Sequence, residues 1–159
     1  TIMLSNRKIP FMIKTLLASI LMLCPFIGKA QSFEVKYDHT ALRVADVNRS
    51  AEFYMKVFEL EEIKPAPSSS TLRWFSLGGD DQLHLIQGET KDIKLHKGVH
   101  LAFHITEYDN FLEHLEKENI KFTNWQGTEQ APNLRGDGIR QVYIQDPDGY
   151  WVEVNDARY

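Results

Sequence analysis

The stretch Tyr37-Asp38-His39-Thr40-Ala41-Leu42-Arg43-Val44 is answered later in the chain by Val99-His100-Leu101-Ala102-Phe103-His104-Ile105. Both alternate with a period of two, the mark of a strand with one buried face. Leu42 and Val44 take one side of the first strand, and His39, Ala41 and Arg43 take the other. In the second, Leu101, Phe103 and Ile105 oppose His100, Ala102 and His104. A histidine opens the polar face each time, so the chain reads as one pattern written twice.

Working outward, Asp46-Val47-Asn48 supplies helix-start chemistry. Ser50 to Phe58 follows as a helix, with Phe53, Val57 and either Tyr54 or Phe58 on its apolar face. Pro65 to Ser70 reads as a loop. Leu72–Leu77 and Gln82–Gln87 are strand-like and are joined by Gly78-Gly79-Asp80-Asp81. After the second histidine strand, Thr106 and Asp109 form a variant capping box. Phe111, Leu112 and Leu115 give the next helix its apolar face. Phe122–Trp125 is expected as a short strand and Gly127–Gly138 as a polar loop. Ile139–Gln145 and Tyr150–Val154 are the last strands, joined by the turn Asp146-Pro147-Asp148-Gly149. The order strand, helix, three strands occurs twice. It predicts an α+β fold of paired βαβββ modules, at about 37–90 and 98–155. They form a curved mixed sheet with helices outside and a central cleft.

Four residues occupy equivalent places in the two repeats. His39 and His100 open the first strands, 61 residues apart; His84 and Glu153 sit in the last strands, 69 apart. The difference matches the longer loop at Gly127–Gly138. Leu83 and Leu85 flank His84, and Val152 and Val154 flank Glu153, so strand parity aims all four polar groups into the cleft. A single histidine in a strand is ordinarily no ligand. Three imidazoles and a carboxylate at equivalent positions suit one divalent ion of the zinc, nickel, iron, manganese or cobalt type. By the same parity Arg43 and His104 lie further along the cleft, Arg43 suited to anchor an anionic substrate group and His104 to move a proton. Trp74, Tyr143 and Trp151 are candidates to line the substrate site. His96 and His114 read as surface residues.

Residues 1–30 follow another logic. Arg7, Lys8 and Lys14 precede an apolar run from Leu16 to Ile27, and Gly28-Lys29-Ala30 places small residues before Gln31. This is the layout of a secretory signal peptide, and the run is shorter than the ~20 residues that span a bilayer. The mature domain is therefore expected at 31–159, periplasmic or secreted. It would carry no cysteine, since Cys24 is the only one. It would keep 14 of 18 basic and all 22 acidic residues, a net charge of −8. That balance argues against nucleic acid and anionic membrane as partners of the mature form, and leaves a small molecule.

His39-Thr-Ala-Leu-Arg-Val-Ala-Asp-Val with Ser50-Ala-Glu-Phe-Tyr, and the ending Gln141-Val-Tyr-Ile-Gln-Asp-Pro-Asp-Gly-Tyr-Trp-Val-Glu153, resemble the opening and closing motifs of the vicinal-oxygen-chelate superfamily of glyoxalase, bleomycin-resistance and extradiol-dioxygenase proteins. The resemblance runs from Tyr37 to Asn155 and implies the same paired modules. Its four ligand slots fall on His39, His84, His100 and Glu153. Glyoxalase I and methylmalonyl-CoA epimerase usually carry Glu or Gln where this chain has His84. Extradiol dioxygenases and fosfomycin-modifying enzymes use only a His–His–Glu set. The resemblance implies a metal-dependent lyase or isomerase acting on a substrate chelated through neighbouring oxygens, with Glu153 moving the proton; His104 is the second candidate for that role, from its place on the cleft face. An extradiol-type dioxygenase and a non-catalytic resistance binder are the alternatives. Export counts against the strict glyoxalase reaction, because glutathione conjugates are scarce outside the cytosol. Such proteins often form homodimers, and some build the site across the interface. The four residues are thus expected to meet either within one chain or between two.

Overall fold

The computed structural model describes residues 33–64 and 68–158. The leader expected at 1–30 lies outside the described residues, as do positions 65–67 of the expected loop. Among the described residues no helix is long and apolar enough to cross a membrane. Residues from Tyr37 onward form one unit.

The first strand, β1 (His39–Val44), buries Leu42 and Val44 and leaves His39, Ala41 and Arg43 exposed. Helix α1 (Val47–Phe58) begins where the Asp46 side chain accepts the backbone N–H groups of Asn48 and Arg49, at 2.9 and 3.1 Å. Such a cap satisfies donors that the first helical turn would otherwise leave bare. Val47, Ala51, Tyr54 and Val57 are buried on its inner face. Each is worth roughly 1–3 kcal/mol of apolar burial. β2 (Glu62–Ile63), β3 (Leu72–Gly78) and β4 (Asp81–Gln87) complete the first module in the order β1-β4-β3-β2, with β1 parallel to β4.

The second module repeats the arrangement. β5 (His100–His104) lies parallel to β8 (Trp151–Asn155), followed by β7 (Arg140–Gln145) and β6 (Asn133–Leu134). Helix α2 (Tyr108–Lys117) buries Tyr108, Phe111 and Leu115. The expected two-helix, paired-module α+β fold is the observed one, with its eight strands divided between two four-stranded sheets.

Three local expectations need correction. Thr106 does not cap α2. The helix starts after Glu107, and the Thr106 hydroxyl bonds the Glu107 carboxylate instead. Phe122–Trp125 is not a strand: Thr123 makes single bridges to Glu129 and Tyr143, and the strand beside β7 comes from inside the expected loop, at Asn133–Leu134. β2, only two residues long, gives no periodic signal. His114 is half-buried and bonds the Lys56 carbonyl at the end of α1, at 3.0 Å.

The modules are joined at α1. Phe58 packs edge-on against Phe103 at 5.1 Å and face-on against Phe111 at 5.8 Å. On the other side, the turn between β7 and β8 grips the start of the helix. The buried Asp148 carboxylate accepts from Ala45 N (2.8 Å) and Ser50 Oγ (2.9 Å) and pairs with Arg49 at 3.2 Å. Asp146 accepts from Tyr54 Oη at 3.2 Å and from two backbone N–H groups of its own turn. Gly149 takes φ 88°, a conformation unfavourable for other residues, and so lets this turn close. A carboxylate at a helix N-terminus is also favoured by the helix dipole.

Candidate metal centre

Glu153 is held before any ligand is considered. It is 6% exposed, on the face of β8 opposite Val152 and Val154. Tyr143 lies across from it on β7 and donates from its hydroxyl to Oε2 at 2.6 Å. Asn155, two residues along the same face, donates to Oε1 at 2.9 Å. The Arg135 guanidinium stands 3.6 Å from Oε1 and bonds Asp137 at 2.6 Å. A tight turn at 135–138, closed by Gly138 at φ 87°, carries Arg135 to this point. Burial, and then the bond to Glu153, raise the Tyr143 hydroxyl well above its ordinary titration range. It therefore remains a donor.

His100 Nε2 stands 3.3 Å from Glu153 Oε2. The other ring nitrogen, Nδ1, is 2.7 Å from the Lys97 backbone oxygen. A carbonyl only accepts, so Nδ1 carries a proton and Nε2 is the nitrogen that faces the carboxylate. An imidazole nitrogen and a carboxylate oxygen at this separation are bridged by a proton or by a cation. A carbonyl fixing the far nitrogen is also how metal-binding imidazoles are commonly oriented. This pair therefore fits a divalent ion. Lys97 completes the arrangement. Its ammonium donates to Thr123 Oγ1, Asn124 O and Trp125 O at 3.2, 2.9 and 3.3 Å, and lies 4.4 Å over the Trp151 ring. Partial burial lowers its pKa.

The other two candidates meet on the first sheet. Register places His84 beside Ala41 of β1 and Trp74 of β3. The His84 ring stacks on Trp74 (3.9 Å, 7°) and on His39 (4.2 Å, 17°), making a stack of three rings. His39 Nδ1 is bonded to the Asp38 carboxylate and His84 Nε2 to Gln82 Oε1. Burial, and then the neighbouring His39, depress the His84 pKa and favour its neutral form.

The structure thus joins His39 with His84, and His100 with Glu153. Among the described residues no three of His, Cys, Asp and Glu converge to hold an ion within one chain. Arg43 and His104 are exposed on the faces that carry His39 and His100. Tyr143 is a buried holder of Glu153, and Trp74 and Trp151 lie under a ring and an ammonium. A groove of about 680 Å³ runs between the modules along β5, with Leu77 and Leu83 on one wall and His100 and His104 on the other. Arg135, Lys97, Asn155 and Gln82 were not singled out by sequence. Asn155 and Gln82 share the cleft parity of Glu153 and His84 and were findable by that sign. Arg135 and Lys97 sit in loops that carry no periodicity.

Duplicated βαβββ modules with donors at matching strand positions define an α+β protein of glyoxalase-like fold. Residues 36–154 match the model of the Glyoxalase/Bleomycin resistance protein/Dioxygenase superfamily, and the chain belongs to that superfamily. Its members typically bind a divalent metal, act on small molecules and commonly form homodimers. Individual proteins are similar to the chain as well. The Bacillus subtilis (strain 168) protein YwbC is 31% identical over 125 residues, covering 74% of this chain and 94% of that one. A lactoylglutathione lyase of Salmonella typhimurium is 26% identical over 129 residues, covering 76% and 91%. The solved structure of Oxidase ChaP-H2 shares the fold at a TM-score of 0.65 and 21% identity, over 80% of this chain and 97% of that one.

Proposed function

We propose that the protein is a metal-dependent lyase or isomerase acting on a small molecule through two neighbouring oxygens, and that its ion is held between two copies of the chain. One copy offers His39, and the other offers His100 and Glu153. The observation that carries this reading is His100 Nε2 facing the buried Glu153 carboxylate at 3.3 Å. When bound, the ion supplies a Lewis acid that stabilises negative charge developing on the substrate oxygens. The protein's own groups do the rest. Tyr143 and Asn155 keep both Glu153 oxygens in place. His104, exposed four residues beyond His100 on the same face, is the group to move a proton, and Arg43 the group to anchor an anionic part of the substrate.

Elemental analysis of purified protein tests the ion, and mixing variants tests the sharing. His39→Ala and Glu153→Ala proteins should each bind little metal. Unfolded and refolded together at equal amounts, they should recover about a quarter of the wild-type sites, since each mixed dimer rebuilds one of its two sites. No recovery would place all ligands in one chain. Oxygen uptake with catechols would instead mark a dioxygenase. We also propose that residues 1–30 are removed on export. Sequencing of envelope protein should then find an N-terminus near Gln31, and an intact leader would reject cleavage.

A further inference from the structure

We propose that His84 is a stacking buttress for His39 and not a metal ligand, so that the ion is held by His39, His100 and Glu153. This rests on the shared-ion reading above but concerns a different residue and a different observation. An imidazole nitrogen directs its lone pair within the ring plane, and an ion sits about 2 Å from it in that plane. The His39 and His84 planes are inclined by 17° with centroids 4.2 Å apart. Planes so disposed meet on the order of 10 Å from the rings, far beyond the ~2 Å bond, so one ion cannot lie in both. His84 is not free to turn out of the stack. Trp74 covers its opposite face at 3.9 Å and 7°, and Gln82 holds its Nε2 at 2.8 Å. Among the described residues His39 stacks on one ring, and Asp38 takes its Nδ1, so that Nε2 is the nitrogen left to face an ion. Its side chain is 41% exposed, open to an ion brought by a second copy. The clamped ring sets the plane of the exposed one. A set of two imidazoles and one carboxylate then leaves more of the ion's coordination sphere to substrate oxygens than four protein ligands would.

Two substitutions separate stacking from ligation. His84→Phe can stack and cannot ligate; His84→Gln can ligate and stacks poorly. Cobalt(II) titration of the whole protein, read by visible absorption and equilibrium dialysis, should find His84→Phe within about threefold of wild type. His84→Gln should be weakened about tenfold, as when an orienting neighbour of a ligand is lost. His39→Ala should lose more than about a hundredfold. The opposite order, with His84→Phe as weak as His39→Ala and His84→Gln near wild type, would overturn the proposal. A metal-free readout runs alongside. The His39 ring protons should be shifted upfield by the stacked ring in wild type and in His84→Phe, and return toward ordinary positions in His84→Gln. Unmoved His39 resonances in His84→Gln would also overturn it. Wild-type protein that shows these shifts yet takes up no cobalt would reject the shared-ion reading alone.

Discussion

The two modules share a fold and differ in how they hold their chemistry. In the first, His39 and His84 are fixed by ring contacts on an open sheet face, and the turn at Gly78–Asp81 is mostly exposed. In the second, Glu153 is buried and bonded through both oxygens, and the turn at Asp146–Gly149 is locked against α1. Duplication therefore repeated the backbone without repeating the reinforcement. A buried carboxylate must have its partners in place before folding is complete, whereas an exposed imidazole can rely on water. The second module carries the rigid half of the candidate site and the first the adjustable half.

The sharpest way to break this comparison is at Glu153. Glu153→Ala strands the Tyr143 hydroxyl and the Asn155 amide and removes the carboxylate donor. It should cost on the order of 3 kcal/mol in urea unfolding as well as metal binding. A cost below ~1 kcal/mol would mean the second half is no better reinforced than the first. The two turns offer the next contrast. Asp148→Ala leaves three donors unmatched and should cost about 2–3 kcal/mol, while Asp80→Ala in the first turn should stay within about 0.5 kcal/mol. Tyr143→Phe removes one bond to a charged group and should cost about 1–2 kcal/mol, with weaker metal binding and the fold intact by circular dichroism. His39→Ala should change stability by no more than about 0.5 kcal/mol although it loses the ion.

The smallest effect concerns pH. Burial, foremost among several causes, raises the Asp146 carboxyl above its ordinary 3.8. The fold thus favours the protonated form, and this group opposes folding at neutral pH. Its penalty lessens as pH falls through the raised value toward 3.8 and is constant below. Asp146→Asn keeps an acceptor for the Asp148 and Tyr150 N–H groups, so stability at pH 7 should change by less than about 1 kcal/mol. The variant should lack that recovery when urea midpoints are compared between neutral and acid pH. An unchanged pH profile would assign it to other carboxylates.

Period-two alternation made β1, β5 and β8 legible, and with them the faces of His39, His100 and Glu153. The same signal reached Tyr143, because residues opposite Glu153 on a neighbouring strand share its face. It could not distinguish a wall residue from a holder, since that depends on how deeply the ring is buried. Arg135 reaches Glu153 through a glycine turn, and Lys97 acts from a connecting segment. Positions set by loop geometry leave no periodic trace. Thr106 shows the converse: it has cap chemistry, but the helix begins one residue later. Strand parity also cannot say whether two histidines on one face will converge on an ion or lie flat against each other. That depends on the neighbour, here Trp74.

The grip of Asp146 and Asp148 on α1 ties early residues to late ones. Ser50 and Ala45 find Asp148 98 and 103 residues downstream, Tyr54 finds Asp146 92 downstream, and the Arg43 carbonyl receives Tyr150 from 107 away. During synthesis the first module emerges with these groups unmatched, and only the final hairpin satisfies them. Loops of such length are slow to close, and the gain arrives late. The two modules are consequently bound to a single folding event, and a nascent chain that stops short of the last turn forfeits the completion of its first helix as well.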